Sequence, residues 1–89
     1  MRHRADTIQD ETVNLLRQIG ASVTVTSQVA AGFPDLVVGF RGRTMLLELK
    51  TGNEKLSVAE EKWHAKWSGH VAIVRTPEQA QIAVVEGAR

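Results

Sequence analysis

Eighty-nine residues suffice for one small domain, 1–89, and a chain of this size leaves much of its surface exposed unless a second copy covers part of it. With 43% hydrophobic and 24% charged residues the composition is that of an ordinary folded protein, which excludes a disordered chain and a membrane span, and the lack of cysteine excludes disulfides and thiolate metal sites. A formal net charge of +1 excludes little, because an acidic metal site can cancel basic residues that meet phosphate elsewhere on the surface.

The first predicted element is a helix from Asp6 to Ile19. Asp6 caps it with Gln9 three residues on, Ile8, Leu15, Leu16 and Ile19 recur at helical spacing, and Gly20 ends it. From Ala21 the pattern alternates, with Val23 and Val25 between Ser22, Thr24 and Thr26, which predicts a half-buried strand ending near Gln28. After a loop, Leu36–Phe40 and Thr44–Leu49 are apolar runs separated by RGR and read as a hairpin turning at Arg41-Gly42. Ser57 starts a second helix to about Trp67, with Ala59, Trp63 and Trp67 at four-residue spacing and Gly69 closing it. Val71–Arg75 is a short fourth strand. Thr76-Pro77, with Gln79, opens a last helix to about Val84. The order αβββαβα predicts an α/β fold, a mixed sheet flanked by helices.

A tip at Arg41-Gly42 sets the hairpin register. Phe40 lies opposite Arg43, Gly39 opposite Thr44, Val38 opposite Met45, Val37 opposite Leu46, Leu36 opposite Leu47, and at the far end Asp35 opposite Glu48. Side chains alternate between faces, so Asp35, Glu48 and Lys50 emerge together, and two carboxylates that face each other on a sheet call for a cation. Lys50 is one candidate, which would make the group a structural ion pair. A hard divalent metal is the other, since Mg²⁺ takes one or two carboxylates and fills its remaining positions with water and phosphate oxygens. On the first helix Glu11 falls beside the apolar stripe, where it either reaches the same site or stays a solvated border residue.

The segments GFPDLVVG and MLLELK, followed by LSVAEEKW, resemble the PD-(D/E)xK nuclease superfamily, and the G-x-PD opening with the LS…W helix is similar to its VRR-NUC branch, in the stand-alone form associated with phages. The similarity runs from about Glu11 to Arg75. It implies a restriction-endonuclease-like core and metal-dependent endonucleolytic hydrolysis of DNA phosphodiesters. Asp35 and Glu48, with the backbone carbonyl of Leu49, would bind Mg²⁺ or Mn²⁺; Lys50 would orient or activate water and offset phosphate charge; Glu11 would support the metal directly or through water. The resemblance also implies branched DNA, such as Holliday-junction-like substrates, and a bacterial or phage-infected cell. The chain departs from the branch at Glu60, where many members have glutamine. Glu60 is either a further site residue or, as we prefer, the capping-box partner of Ser57.

Weaker signals surround this group. Trp63 and Trp67 suit a packed core or a subunit interface, with base stacking as the alternative. His64 and His70 lack close ligand spacing, and without cysteine no zinc site is expected. Arg2 with Arg4, and Arg41 with Arg43, are two basic clusters that are solvated or meet phosphate. No charged-then-apolar leader opens the sequence, so the expectation is a cytoplasmic protein with no membrane partner. Size and the two tryptophans predict a homodimer, whose two-fold symmetry would suit a two-fold substrate. The competing readings are a DNA-binding or assembly module without catalysis, and a purely structural domain that leaves the opposed carboxylates unexplained.

Overall fold

The computed structural model describes residues 4–88, with side chains from residue 8 onward, so Arg2 and the side chains of Arg4 and Asp6 lie outside the description. The elements are α1 (Arg4–Gln18), β1 (Ser22–Val25), β2 (Leu36–Phe40), β3 (Arg43–Leu49), α2 (Val58–Lys66), β4 (Val71–Val74) and α3 (Pro77–Gly87), in the expected order αβββαβα. They form one mixed sheet in the order β1-β2-β3-β4. The first three strands are antiparallel and β4 runs parallel to β3.

Turn chemistry sets the register. Arg41 and Gly42 both take positive φ, 51° and 79°, the twist a two-residue hairpin requires. Arg41 tolerates it at the exposed tip, with its guanidinium 4.8 Å from the centre of the Phe40 ring. Every pair expected from Phe40–Arg43 to Leu36–Leu47 is present.

Three element boundaries differ from the sequence reading by more than one residue. The backbone is already helical at Arg4, so Asp6 lies inside α1 and is not its cap. At the other end Gly20, with φ 94°, lets the Gly20 and Ala21 N–H groups reach the Arg17 and Leu16 carbonyls at 3.0 Å each, a Schellman closure. β1 stops at Val25, because Thr26 turns its N–H to the Asp35 carbonyl at 2.7 Å and its hydroxyl to the Pro34 carbonyl at 2.9 Å. α3 runs on to Gly87, since its last turn packs on the sheet so closely that a Cβ at Gly87 would collide with the Met45 side chain.

Alternation along β2 and β3 divides the sheet into two faces. Leu36, Val38, Met45, Leu47 and Leu49 join Val13 and Leu16 of α1 and Ala80 and Val84 of α3 in one apolar core. The opposite face carries Leu46, Glu48 and Lys50, all buried, and α2 lies over that end. α2 itself contains no buried residue. None of the described helices is long and apolar enough to cross a membrane.

Candidate active site

The site is built at the C-terminal end of β3, on the face away from the core. Asp35 precedes β2, and three contacts hold it in place. Its carbonyl accepts from Thr26 N–H at 2.7 Å, its N–H donates to the Leu47 carbonyl at 3.0 Å, and its Oδ2 accepts from the Leu49 N–H at 2.8 Å. That arrangement leaves the Asp35 carboxylate within hydrogen-bonding reach of the Glu48 carboxyl. Glu48 is 1% exposed. Burial, with Asp35 beside it, pushes the Glu48 carboxyl up to about 9, because a second negative charge in so dry a place is unfavourable.

Lys50 follows on the same face and is 6% exposed. Its Nζ donates to Glu60 Oε1 at 2.7 Å and lies 3.6 Å from Glu54 Oε2. Burial works against the Lys50 charge, but the hydrogen bond and charge of Glu60 outweigh it, so its pKa rises from the ordinary value and the ammonium form is secured. The Glu60 pKa moves the other way. Burial opposes its ionisation, yet the bonds from Lys50 and from the Ser57 backbone hold it below the usual carboxylate value.

Glu60 therefore has two roles at once. The capping box with Ser57 is present, with Ser57 N–H donating to Glu60 Oε1 at 2.7 Å, and the same oxygen receives Lys50. One turn further along α2, His64 Nε2 lies 3.2 Å from Glu48 Oε1, with the imidazole largely enclosed. His64 lacks metal-ligand spacing in the sequence and does not stand out there. The available signal was its i,i+4 relation to Glu60, which puts both on one helix face.

The approach of α2 to this end depends on Gly32, with φ 81°, where a Cβ would collide with the Ala59 backbone. The β3–α2 loop is fixed from the far side by Arg75, whose Nη1 donates to the Gly52 and Glu54 carbonyls at 2.9 and 2.8 Å. Neither residue stands out in the sequence as a support of the site.

Glu11 is exposed on α1, where it lines an open hollow of about 320 Å³ with Ile8, Thr51, Arg75 and Glu78. It makes no hydrogen bond or ion pair with Asp35, Glu48 or Lys50. Among the described residues no three His, Asp or Glu side chains converge as ligands for one ion. A metal here would rest on the Asp35–Glu48 pair and draw its other donors from backbone, water or substrate. The pair fits a hard divalent cation. It offers crowded oxygen donors, and a cation between them would offset the burial and the mutual repulsion that raise Glu48.

Trp63 and Trp67 are not core residues. Their rings stack on each other at 4.8 Å and 21°, Phe33 meets Trp63 edge-on at 5.3 Å, and Trp67 is 42% exposed. The reason is that α2 is fastened by polar links at Glu60 and His64, which leaves its indoles at the margin.

No family model and no curated protein matches the chain. Among solved structures, one described as "VRR_NUC domain" superimposes with a TM-score of 0.78 at 21% identity, over 94% of this chain and 97% of that one. The chain has the fold of that VRR_NUC domain. The mixed sheet and the αβββαβα order expected from the sequence thus stand, and the shared fold extends over nearly the whole of both chains.

Proposed function

We propose that this chain is a nuclease of the VRR-NUC kind that hydrolyses DNA phosphodiester bonds with Mg²⁺ or Mn²⁺ held at Asp35 and Glu48. The observation that carries the proposal is the buried Glu48 carboxyl beside the half-buried carboxylate of Asp35, with buried Lys50 following Glu48 on the same face. When bound, the cation would polarise a phosphoryl oxygen and make water more acidic. The Leu49 carbonyl and Glu11 are the further donors we assign to it, Glu11 through water. Lys50, kept charged by Glu60, orients the phosphate and offsets the charge that grows there; it is an electrostatic group and not a neutral base. Glu60 holds Lys50 in position from α2.

On this reading the enzyme is an endonuclease of a bacterial or phage-infected cytoplasm, its substrate is branched DNA, and its working unit is a symmetric pair of chains. The exposed side chains of Val25, Val29, Ile73 and Ile82 offer apolar surface for a second copy to cover. The test is to incubate purified protein with labelled duplex, flap, splayed and four-way DNA, with Mg²⁺, Mn²⁺ or EDTA. We expect metal-dependent cuts, favouring branched DNA, that Asp35→Asn abolishes. Cutting that is indifferent to EDTA and to Asp35→Asn would refute the metal site. A folded, metal-supplied protein that binds these DNAs and cuts none would make the chain a binding module.

A further inference from the structure

Among the described residues α2 is the helix whose side chains bond to Lys50 and Glu48, and its other residues are not accounted for by that contact. At about 100° per residue, the stripe formed by Glu60 and His64 is followed around the helix by Trp67 and Trp63, and then by Ala59, Lys66 and Lys62. The contacts agree with this order. Glu60 and His64 bond to Lys50 and Glu48, while Ala59, Lys62, Trp63 and Lys66 line a hollow of about 290 Å³ together with Ala31. The stacked indoles therefore lie between the Glu60–His64 stripe, which bonds to the site, and a hollow whose charged lining is entirely basic.

We propose that this surface binds an unpaired segment of DNA strand, with a base stacked on Trp67 and phosphates at Lys66 and Lys62, as the strand leaves the site. The inference rests on the DNA reading above and adds where the strand runs. Indole faces with neighbouring ammonium groups are the combination that holds single strands without regard to sequence. Both lysines are exposed, and neither is engaged by an acidic partner among the described residues. Glu61, the nearest acidic residue in sequence, projects about 100° around the helix from Lys62 and about 140° from Lys66. The occupant is unpaired because in a duplex the base faces are already covered by neighbouring base pairs. A second copy of this chain fits less well, since a two-fold interface centred here would set Lys62 and Lys66 against their own equivalents.

The chain's only two tryptophans both belong to this surface, Trp63 within α2 and Trp67 at its end, so intrinsic fluorescence reports on it alone. We would titrate the full chain in EDTA, where no cutting intervenes, with an oligothymidylate of about 10 nucleotides, and take affinity from the anisotropy of labelled strand. Expected are saturable quenching, weaker response to blunt duplex, and an affinity loss of about ten- to hundredfold in Trp67→Ala, largely restored in Trp67→Phe. Lys62→Glu with Lys66→Glu should weaken binding without touching the aromatic pair, and with Mg²⁺ both sets should raise KM on splayed DNA more than they lower kcat. Equal response to blunt duplex, or unchanged affinity in both sets while splayed DNA is still cut, would overturn the strand site alone. Quenching with variant losses in a protein that cuts nothing would uphold the strand site and defeat the nuclease reading. A fluorescence change that follows protein concentration without DNA, with a doubled mass lost in Trp67→Ala, would assign the patch to a second copy and overturn the proposal.

Discussion

Glu48→Gln isolates the electrostatic cost of the carboxylate pair. In the metal-free protein the Glu48 carboxyl is raised from 4.5 to about 9, so the folded state holds a proton there that the unfolded state has released. The stabilising contribution is full below about pH 4.5 and declines as pH rises toward about 9. Two other groups near the site act outside this window. The lowered Glu60 loses its contribution only as pH falls below the carboxylate range, and the raised Lys50 only above 10.5. At about 1.4 kcal/mol per pH unit the ceiling for Glu48 is about 6 kcal/mol. Local relaxation and entry of water reduce that to about 2–3 kcal/mol, or about 10–20 °C in Tm for a domain of this size. Thermal melts in EDTA between about pH 5 and pH 9 should therefore show wild type falling steadily, while Glu48→Gln, neutral throughout, stays flatter and is the more stable protein at the alkaline end. Added Mg²⁺ should restore wild type there and leave the variant unchanged. Melting curves for the two proteins that run parallel across the range would refute the account of a buried Glu48 crowded by Asp35.

Three further outcomes follow from the site and the size of the chain. Lys50→Ala should lower turnover by ~10²–10³, the scale of one preorganised electrostatic group, while DNA binding persists; near-normal cleavage would leave Lys50 a structural ion pair with Glu60. His64→Ala should weaken Mn²⁺ binding by about 10–100-fold, as loss of a hydrogen bond to a metal-holding carboxylate does, and His64→Gln, which can still donate to Glu48, should recover part of it by calorimetry. If the working unit is a pair of chains, light scattering should give a mass rising above 9.8 kDa with concentration. A mass that stays there into the high-micromolar range counts against the dimer.

The hairpin was the most legible part of the molecule, because a two-residue tip leaves one register and alternation does the rest. The register that follows from Arg41-Gly42 runs as far as Leu36–Leu47; Asp35 lies one residue beyond the paired strand, its N–H on the Leu47 carbonyl, and still comes beside Glu48. What the sequence concealed was long-range. Thr26 and Arg75 fix backbone carbonyls 8 to 23 residues away, and such bonds leave no periodic trace. Asp6 was misplaced because a good capping residue just inside a helix start looks the same as one at the cap. The core reading of the tryptophans fails for a related reason. Four-residue spacing says that two side chains share a helix face, but not whether that face meets the core, and on α2 the sheet is met by Glu60 and His64 instead.

Because α2 lacks a buried residue, its attachment has a separate thermodynamics from that of the sheet and the two helices behind it. It is held by the Glu60 and His64 links, the close approach at Gly32 and one aromatic edge contact at Phe33. Such a segment opens locally at far lower free energy than the core, so its amides should exchange hydrogen for deuterium long before those of β2 and β3. Each opening would uncover Glu48 to solvent and remove the partner of Lys50, while the apolar side of the sheet stays closed. The lifetime of the docked helix would then set how long the Glu48 carboxyl remains dry, giving the domain a rhythm of hydration at its polar end that its global stability does not reveal.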